Sequence, residues 1–294
     1  MPRLSVLMPA RNAERTIAEA LRTTLRAMPS DSELLVLDDA SSDRTAEIAS
    51  TTGDRRVEVV SAPEHLGLNL GSELLLQRAR GDIVARMDSD DVCLRGRFRA
   101  ELRALDRGAD LVFSTFQVIG AGLRRPVPPI AFGPEAARLA LLLDCPYPHS
   151  TALARASTLR EAGGYHPTAA TEDYDLWLRA AAHGARIVRL ARPTILLRVS
   201  PTQVTAAPGW RERLSADGIL ENSYQNLTEA LWGTRETPWF PHLAFTRPGG
   251  LQPDGRAVLE PFVERFLRSL SGLRGWERWY LERRARQELG WRSQ

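Results

Sequence analysis

The chain has 294 residues, a formal net charge of +3 and a sequence pI of about 9.2. A hydrophobic content of 43% with 26% charged residues is that of a folded globular protein and excludes disordered or fibrous classes. The small net charge makes no electrostatic case for nucleic acid, and two cysteines, Cys93 and Cys145, make no disulfide framework, which suits a reducing cytoplasm.

Met1-Pro2-Arg3 runs straight into a strand pattern with no leader-like segment, and no apolar run approaches the roughly 18 residues of a membrane span. Leu4 to Met8 reads as a buried strand ending at Pro9-Ala10-Arg11-Asn12. Glu14 to Met28 follows as a helix, with Ile17, Leu21, Leu25 and Met28 on one face and Pro29 as its stop. The plan repeats: strand Leu34 to Leu37, turn Asp38 to Asp43, helix Arg44 to Ser50, strand Val57 to Val60, helix Leu70 to Ala79 and strand Ile83 to Met87. Strands alternating with helices at this pace predict a parallel, doubly wound α/β sheet. Beyond it, Leu94 to Leu105 reads as a helix, Leu111 to Phe113 as a strand, Gly120 to Pro134 as a loop and Glu135 to Leu143 as a helix. Thr151 to Ala154, Ile187 to Leu190 and Ile195 to Val199 supply later strands. From about Thr205 the pattern turns helical and Trp-rich, with blocks at Trp210 to Trp232 and around Phe262, Phe266, Leu270 and Leu273.

The chemistry concentrates where the fourth strand ends, at Met87-Asp88-Ser89-Asp90-Asp91. Open α/β sheets bind ligands at the carboxyl edge of their strands, and clustered carboxylates there call for a cation, a helix N-terminus or solvent. Asp88 and Asp90, one apart on an extended chain, project to the same side and suit a hard divalent ion that keeps positions free for phosphate oxygens. A solvated turn capping the next helix fits the same residues. The glycine-rich first turn of a dinucleotide fold is missing at Met8 to Asn12, and without Lys there is no P-loop, so a phosphate needs the acidic cluster and its metal.

Ser5-Val6-Leu7-Met8-Pro9-Ala10-Arg11-Asn12, Leu37-Asp38-Asp39-Ala40-Ser41-Ser42-Asp43-Arg44-Thr45, Ala79-Arg80-Gly81-Asp82, Met87-Asp88-Ser89-Asp90-Asp91 and Thr171-Glu172-Asp173-Tyr174-Asp175-Leu176-Trp177 resemble, in order, the motifs of family 2 glycosyltransferases. Gly163-Gly164-Tyr165 stands before the last of these, as such a pair commonly does. The resemblance covers about residues 3 to 200. It implies the GT-A fold, a mostly parallel Rossmann-like sheet, and an inverting transfer from a nucleoside-diphosphate sugar, UDP first, with Mn²⁺ or Mg²⁺. The acceptor it implies is a glycan or lipid-linked glycan of the bacterial surface. Two positions depart from the pattern: Arg11 replaces an aromatic, and Glu73 stands where the family often has Asn.

The resemblance implies roles residue by residue. Asp88, Asp90 and Asp91 hold the metal, with Ser89 beside the donor. Asp39 receives the nucleobase N–H, and Pro9, Ala10, Arg11 and Asn12 flank the nucleotide, Arg11 on phosphate or base or simply in solvent. Asp38 or Asp43 also suits a helix cap before Arg44. Asp173 is the base that takes the acceptor proton and Glu172 supports it or contacts the acceptor, although Thr171-Glu172-Asp173 equally suits a helix start. Asp175 reads as facing away from Asp173. His149 is placed toward donor sugar or metal, or is structural as a lone His more often is, and Arg198 stands near the loop Ser200 to Thr205, which can close over the diphosphate.

Residues 1–204 form the expected catalytic domain, a nucleotide-sugar half to about 92 and an acceptor half from 93, with 205–294 a helical extension separable from the donor site. Its Arg- and Trp-bearing end (Trp276, Trp279, Arg283, Arg284) suits peripheral contact with an anionic membrane, a homodimer, or packing on the catalytic domain. The rival readings are a nucleotidyltransferase of related fold, whose Gly-rich first loop is missing, and a non-catalytic nucleotide-sugar binding module, against which Asp173 argues.

Overall fold

A computed structural model describes residues 1–120, 123–126, 128–199, 216–236 and 253–288. The first half alternates strand and helix: β1 (Leu4–Ala10), α1 (Ile17–Ala27), β2 (Ser32–Asp38), α2 (Thr45–Ser50), β3 (Val57–Ser61), α3 (Gly67–Arg78) and β4 (Ile83–Arg86). These four strands lie parallel in the order β3-β2-β1-β4. Their side chains alternate between two cores. Leu4, Val6 and Met8 of β1 join Leu34 and Val36 of β2 against Ile17 and Leu21 of α1, while Leu7, Leu35 and Leu37 face Leu75 and Leu76 of α3. A sheet buried on both faces has no polar face to alternate with, so its strands read as continuous apolar runs.

The second half closes the sheet differently. It comprises β5 (Val92–Cys93), α4 (Arg97–Asp106), β6 (Leu111–Gly120), β7 (Leu123–Pro126), α5 (Pro134–Ala140), β8 (Leu153–Arg155), α6 (Ala156–Glu161), α7 (Glu172–Ala182) and β9 (Ile187–Arg198). The order continues β4-β8-β6-β9-β5, with β7 on β6, and only the β6–β9 pairing is parallel there. The two short strands expected at Ile187 and Ile195 are one strand. Its register against β6 shifts around Ser114 to Phe116, where Pro193, lacking an N–H, pairs with Thr115. The expected strand start at Thr151 is a single 3-10 turn, His149–Thr151, before β8. The helix expected from Leu94 begins at Arg97, after Gly96 at φ 80°. Part of the expected loop after Gly120 pairs as β7.

Among the described residues three further helices follow: α8 (Gly218–Trp232), α9 (Pro253–Ser269) and α10 (Gly275–Glu288). Residues 200–215, including the expected loop Ser200 to Thr205 and Trp210, lie outside the described residues. Leu220, Tyr224 and Leu227 of α8, Phe262 and Phe266 of α9, and Leu281 and Ala285 of α10 belong to the same core as Leu75, Phe113 and Trp177. Glu277 accepts the Gly133 N–H at 2.7 Å in front of α5, and Trp276 stacks on Phe132 with ring centroids 6.2 Å apart. Of the roles weighed for the tail, packing on the sheet domain is the one its described side chains perform.

Candidate functional site

The carboxyl ends of β1, β2 and β4 meet at one edge. Asn12, at φ 50°, ties two of them together: its Oδ1 accepts the Ser42 N–H at 2.9 Å, and its own N–H donates to Ser41 Oγ at 3.0 Å. Asn is among the few residues with a side chain that visit this conformation readily. Asp43 accepts from Glu14 N and from Thr45 N at 3.1 and 2.9 Å, so it ties the loop after β1 to the first residue of α2. Pro9 and Ala10 end β1 beside Leu37 and Asp38, and Arg11 is exposed. Asp39 is 6% exposed, and its carboxylate accepts the Leu66 and Gly67 N–H groups at 2.6 and 3.0 Å and lies 2.8 Å from His65 Nδ1. It thereby fastens the start of α3 to the end of β2. Three of its roughly four lone-pair directions are used. Asp38 Oδ1 is buried without a partner.

The acidic cluster sits after β4. Asp88, Asp90 and Asp91 each present an oxygen within 4.8 Å of the others. Asp91 is buried; its two oxygens accept from Ser150 Oγ at 2.6 Å and from the Arg198 N–H at 2.8 Å. Burial, then the charge of Asp88, pushes the Asp91 carboxyl up to about 8, and the same two causes raise Asp90. Carboxylates that resist ionising together are held with less positive charge than they need. The donor set is all oxygen, and Asp88 and Asp90 remain half-exposed, so the residues fit a hard divalent cation. Ser89 lies between them, half-exposed. Arg198, at the end of β9, donates from Nε to the Asp90 carbonyl at 2.8 Å and pairs with Glu19 at 3.0 Å.

Arg86 was not expected here. It is 3% exposed inside β4 and pairs with Asp88 at 2.9 Å, while its guanidinium also donates to the Met87 carbonyl at 2.5 Å. An arginine inside an otherwise apolar run is the signal that points to it, since a buried charge requires a partner. Below it Arg97 and Glu101 form a fully buried pair, and Arg97 donates to the Arg86 carbonyl at 2.8 Å, steadying the base of the acidic loop.

Glu172 and Asp173 open α7, a position where the helix dipole favours negative charge. Glu172 is buried, and its Oε1 lies 3.3 Å from His149 Nδ1. Burial works against its ionisation, but the hydrogen bond and charge of His149 outweigh it and hold Glu172 below the usual carboxylate range. Asp173 is partly exposed; burial, then the charge of Glu172, pushes it up to about 6. His149 does not present a ring nitrogen to an open cleft. Its Nε2 is 2.8 Å from the Tyr165 hydroxyl, its Nδ1 serves Glu172, and its ring packs edge-on to Trp177.

The loop that delivers Tyr165 and α7 is fastened from three helices. Glu73 of α3 accepts the Tyr165 N–H at 2.8 Å, and Asn69 donates to the His166 and Ala169 carbonyls at 2.8 and 2.9 Å. From α8, Asp217 caps its own helix and accepts the Ala170 N–H at 2.6 Å. Arg179 of α7 donates to the Gly164 carbonyl at 2.7 Å and to that of Ala162. Asp175, read as facing away from Asp173, enters the core. It is fully buried, holding Arg179 at 2.6 Å and accepting from Ser223 Oγ at 2.6 Å. Position i+2 on a helix leaves the face of i, but α8 covers the face it enters. Tyr165, Ser150 and Asp217 had no role visible in the sequence, because each acts on a partner distant in the chain, and Glu73, a departure from the family pattern that suggested retuned donor contacts, binds the Tyr165 backbone.

A parallel Rossmann-like half whose edge carries clustered carboxylates, continued by a mixed half that presents a second acidic pair, defines a nucleotide-sugar transferase of the GT-A class. The chain belongs to Glycosyl transferase family 2, whose family model matches residues 5–167, and it is a glycosyltransferase. It is 33% identical over 199 residues to the putative glycosyltransferase EpsE of Bacillus subtilis, covering 63% of this chain and 69% of that protein. To the Escherichia coli UDP-Glc:alpha-D-GlcNAc-diphosphoundecaprenol beta-1,3-glucosyltransferase WfgD it is 27% identical over 117 residues, 40% of this chain and 46% of that one. In fold it is similar to S. aureus TarS 1–349 in complex with UDP-GlcNAc, with a TM-score of 0.66 and 19% identity over 98% of this chain and 88% of that one. Among the described residues no helix is long and apolar enough to cross a membrane.

Proposed function

We propose that the chain transfers a glycosyl group, with inversion, from a UDP-sugar to a hydroxyl of a glycan or lipid-linked glycan acceptor. One observation carries this reading. The turn His149–Thr151 touches both acidic groups at once, His149 holding Glu172 and the adjacent Ser150 holding Asp91. A site for a charged leaving group and a site for a proton acceptor thus share one support. TarS in complex with UDP-GlcNAc and the UDP-Glc-dependent WfgD support a UDP-sugar donor, and the diphosphoundecaprenol-linked acceptor of WfgD supports a lipid-linked acceptor.

In this reading Asp88 and Asp90 would hold a divalent cation, Mn²⁺ or Mg²⁺, with Asp91 and Arg198 fixing the loop that carries them. The bound cation would supply Lewis-acid assistance to the departing diphosphate. Pro9 to Asn12 and the remaining lone pair of Asp39 border the nucleotide. Asp173 takes the proton of the acceptor hydroxyl as its oxygen bonds to the anomeric carbon and the bond to diphosphate breaks. Glu172, kept ionised, stabilises the positive charge that develops on the sugar and orients the acceptor. Asp173 needs reach and an ionised state more than an extreme pKa.

The test is release of nucleoside diphosphate from a panel of UDP- and GDP-sugars with acceptor, with and without Mn²⁺. Transfer from one donor is expected, lost on chelation and in Asp90→Ala. Asp173→Asn is expected to cost about a hundred- to ten-thousand-fold in turnover with donor affinity unchanged. Full turnover in Asp173→Asn would remove the base, and donor binding indifferent to Mn²⁺ would remove the cation.

A further inference from the structure

His149 stands between the two acidic groups of the proposed site, yet both of its ring nitrogens are spent on the protein. Nδ1 lies 3.3 Å from Glu172 Oε1 and Nε2 lies 2.8 Å from the Tyr165 hydroxyl. An ionised carboxylate only accepts, so Nδ1 carries the proton and donates to Glu172. Nε2 shares the second hydrogen bond with the Tyr165 hydroxyl. Burial pushes that hydroxyl above its ordinary pKa and keeps its proton on. The ring itself is 8% exposed and clamped edge-on against Trp177 at 5.7 Å between centroids. Tyr165 is in turn held at its backbone N–H by Glu73, beside Gly164 at φ 65°, where an added Cβ would displace that carboxylate.

We propose that His149 is a positioning residue: Tyr165 and His149 form a hydrogen-bonded relay that fixes Glu172 beside Asp173, and His149 acts on glycosyl transfer only through Glu172. The relay runs from Glu73 on α3 through Tyr165 and His149 to the first residue of α7. It explains a buried histidine whose two ring nitrogens both meet protein groups. It also gives Glu73, where the family pattern often has Asn, a function: its carboxylate is long enough to reach the Tyr165 N–H from α3. The charged groups facing Glu172 are His149 and Arg86, which favour its ionisation, and Asp173 beside it.

The inference rests on the proposed transfer reaction, and two readouts separate the two. In ligand-free protein, ¹⁵N spectra of the histidine rings should show one ring protonated at Nδ1 whose Nε2 resonance moves in Tyr165→Phe. A ring unprotonated at Nδ1, or one indifferent to Tyr165→Phe, overturns the relay whatever the reaction. In turnover, His149→Phe keeps the ring packing and is expected to lower kcat about 10- to 100-fold with donor affinity unchanged, the loss expected from a displaced reacting group. His149→Asn, which can still donate to Glu172, should recover most of that loss, whereas His149→Gln, aimed at Tyr165, should not. His149→Phe combined with Glu172→Gln should be no slower than Glu172→Gln alone, because both remove one interaction. Losses that multiply in the double variant, or weakened donor binding in His149→Phe, would place His149 on the substrate directly and overturn the proposal. Absence of transfer in the wild type with every donor would count against the proposed reaction, and the spectra would still decide the relay.

Discussion

Asp173 shows what a few ångströms of protein do to a carboxyl group. Its ordinary value of 3.8 is pushed up to about 6, first by burial and then by Glu172, with His149 working against them. A base must be ionised to act, so turnover should rise as pH increases through about 6, level off above it, and fall again on acidification. The pH dependence of kcat/KM, which reports the free enzyme, checks this, and a flat profile between pH 5 and pH 8 would contradict it. Asp175, two residues on, behaves otherwise. Asp175 is fully buried and Arg179 only partly so; Asp175→Asn leaves the Arg179 guanidinium without its anion, and breaking a buried pair typically costs about 3 to 5 kcal/mol. The Ser223 bond can survive in the amide, so the loss should fall near the lower end. Denaturant unfolding should register this as a stability defect, while turnover per folded molecule drops far less than in Asp173→Asn.

At the level of the element, the segment from Ala162 to Thr171 is organised by side chains outside it. Glu73, Asn69, Arg179 and Asp217 satisfy its backbone groups, and two successive glycines at φ 89° and 65° give it its path. Gly164 is the more constrained, since a side chain there meets both the left-handed backbone penalty, about 1 to 2 kcal/mol, and the Glu73 carboxylate. Gly164→Ala should therefore destabilise the fold by about 2 to 3 kcal/mol and slow turnover by moving Tyr165 and, through it, His149. Thermal unfolding and steady-state rates measured on the same preparation check both effects. Stability lost with turnover intact would mean that the turn and the Glu172 region are uncoupled.

For the whole molecule, the helices after residue 216 complete a core begun by the sheet. Phe262, Phe266, Leu270 and Leu281 are each at most 1% exposed against it. Burying one such side chain contributes about 1.5 to 3 kcal/mol, and a whole domain is stable by only about 5 to 15 kcal/mol. Removing the chain from Gly255 onward, which the sequence suggested would spare donor binding, should instead leave a protein that unfolds or aggregates at ordinary temperature. Circular dichroism and gel filtration of the shortened chain check this. A monomeric, folded product that still binds nucleotide would show the extension to be separable after all.

The chain order of strand and helix, the carboxyl-edge loops and the acidic run Asp88 to Asp91 were legible from the residues alone. Each depends on local periodicity or on neighbours within a few positions, and the first four strands and three helices lie within a few residues of where the pattern put them. The order of motifs sufficed for the family. What the residues could not disclose are contacts between distant positions: Arg86 turned onto Asp88, both nitrogens of His149 spent on Tyr165 and Glu172, Asp175 buried under α8, and the tail sharing the core. Whether a polar side chain meets substrate or protein depends on which elements pack around it. Local sequence sets the elements, and tertiary structure alone decides which of their faces remain open.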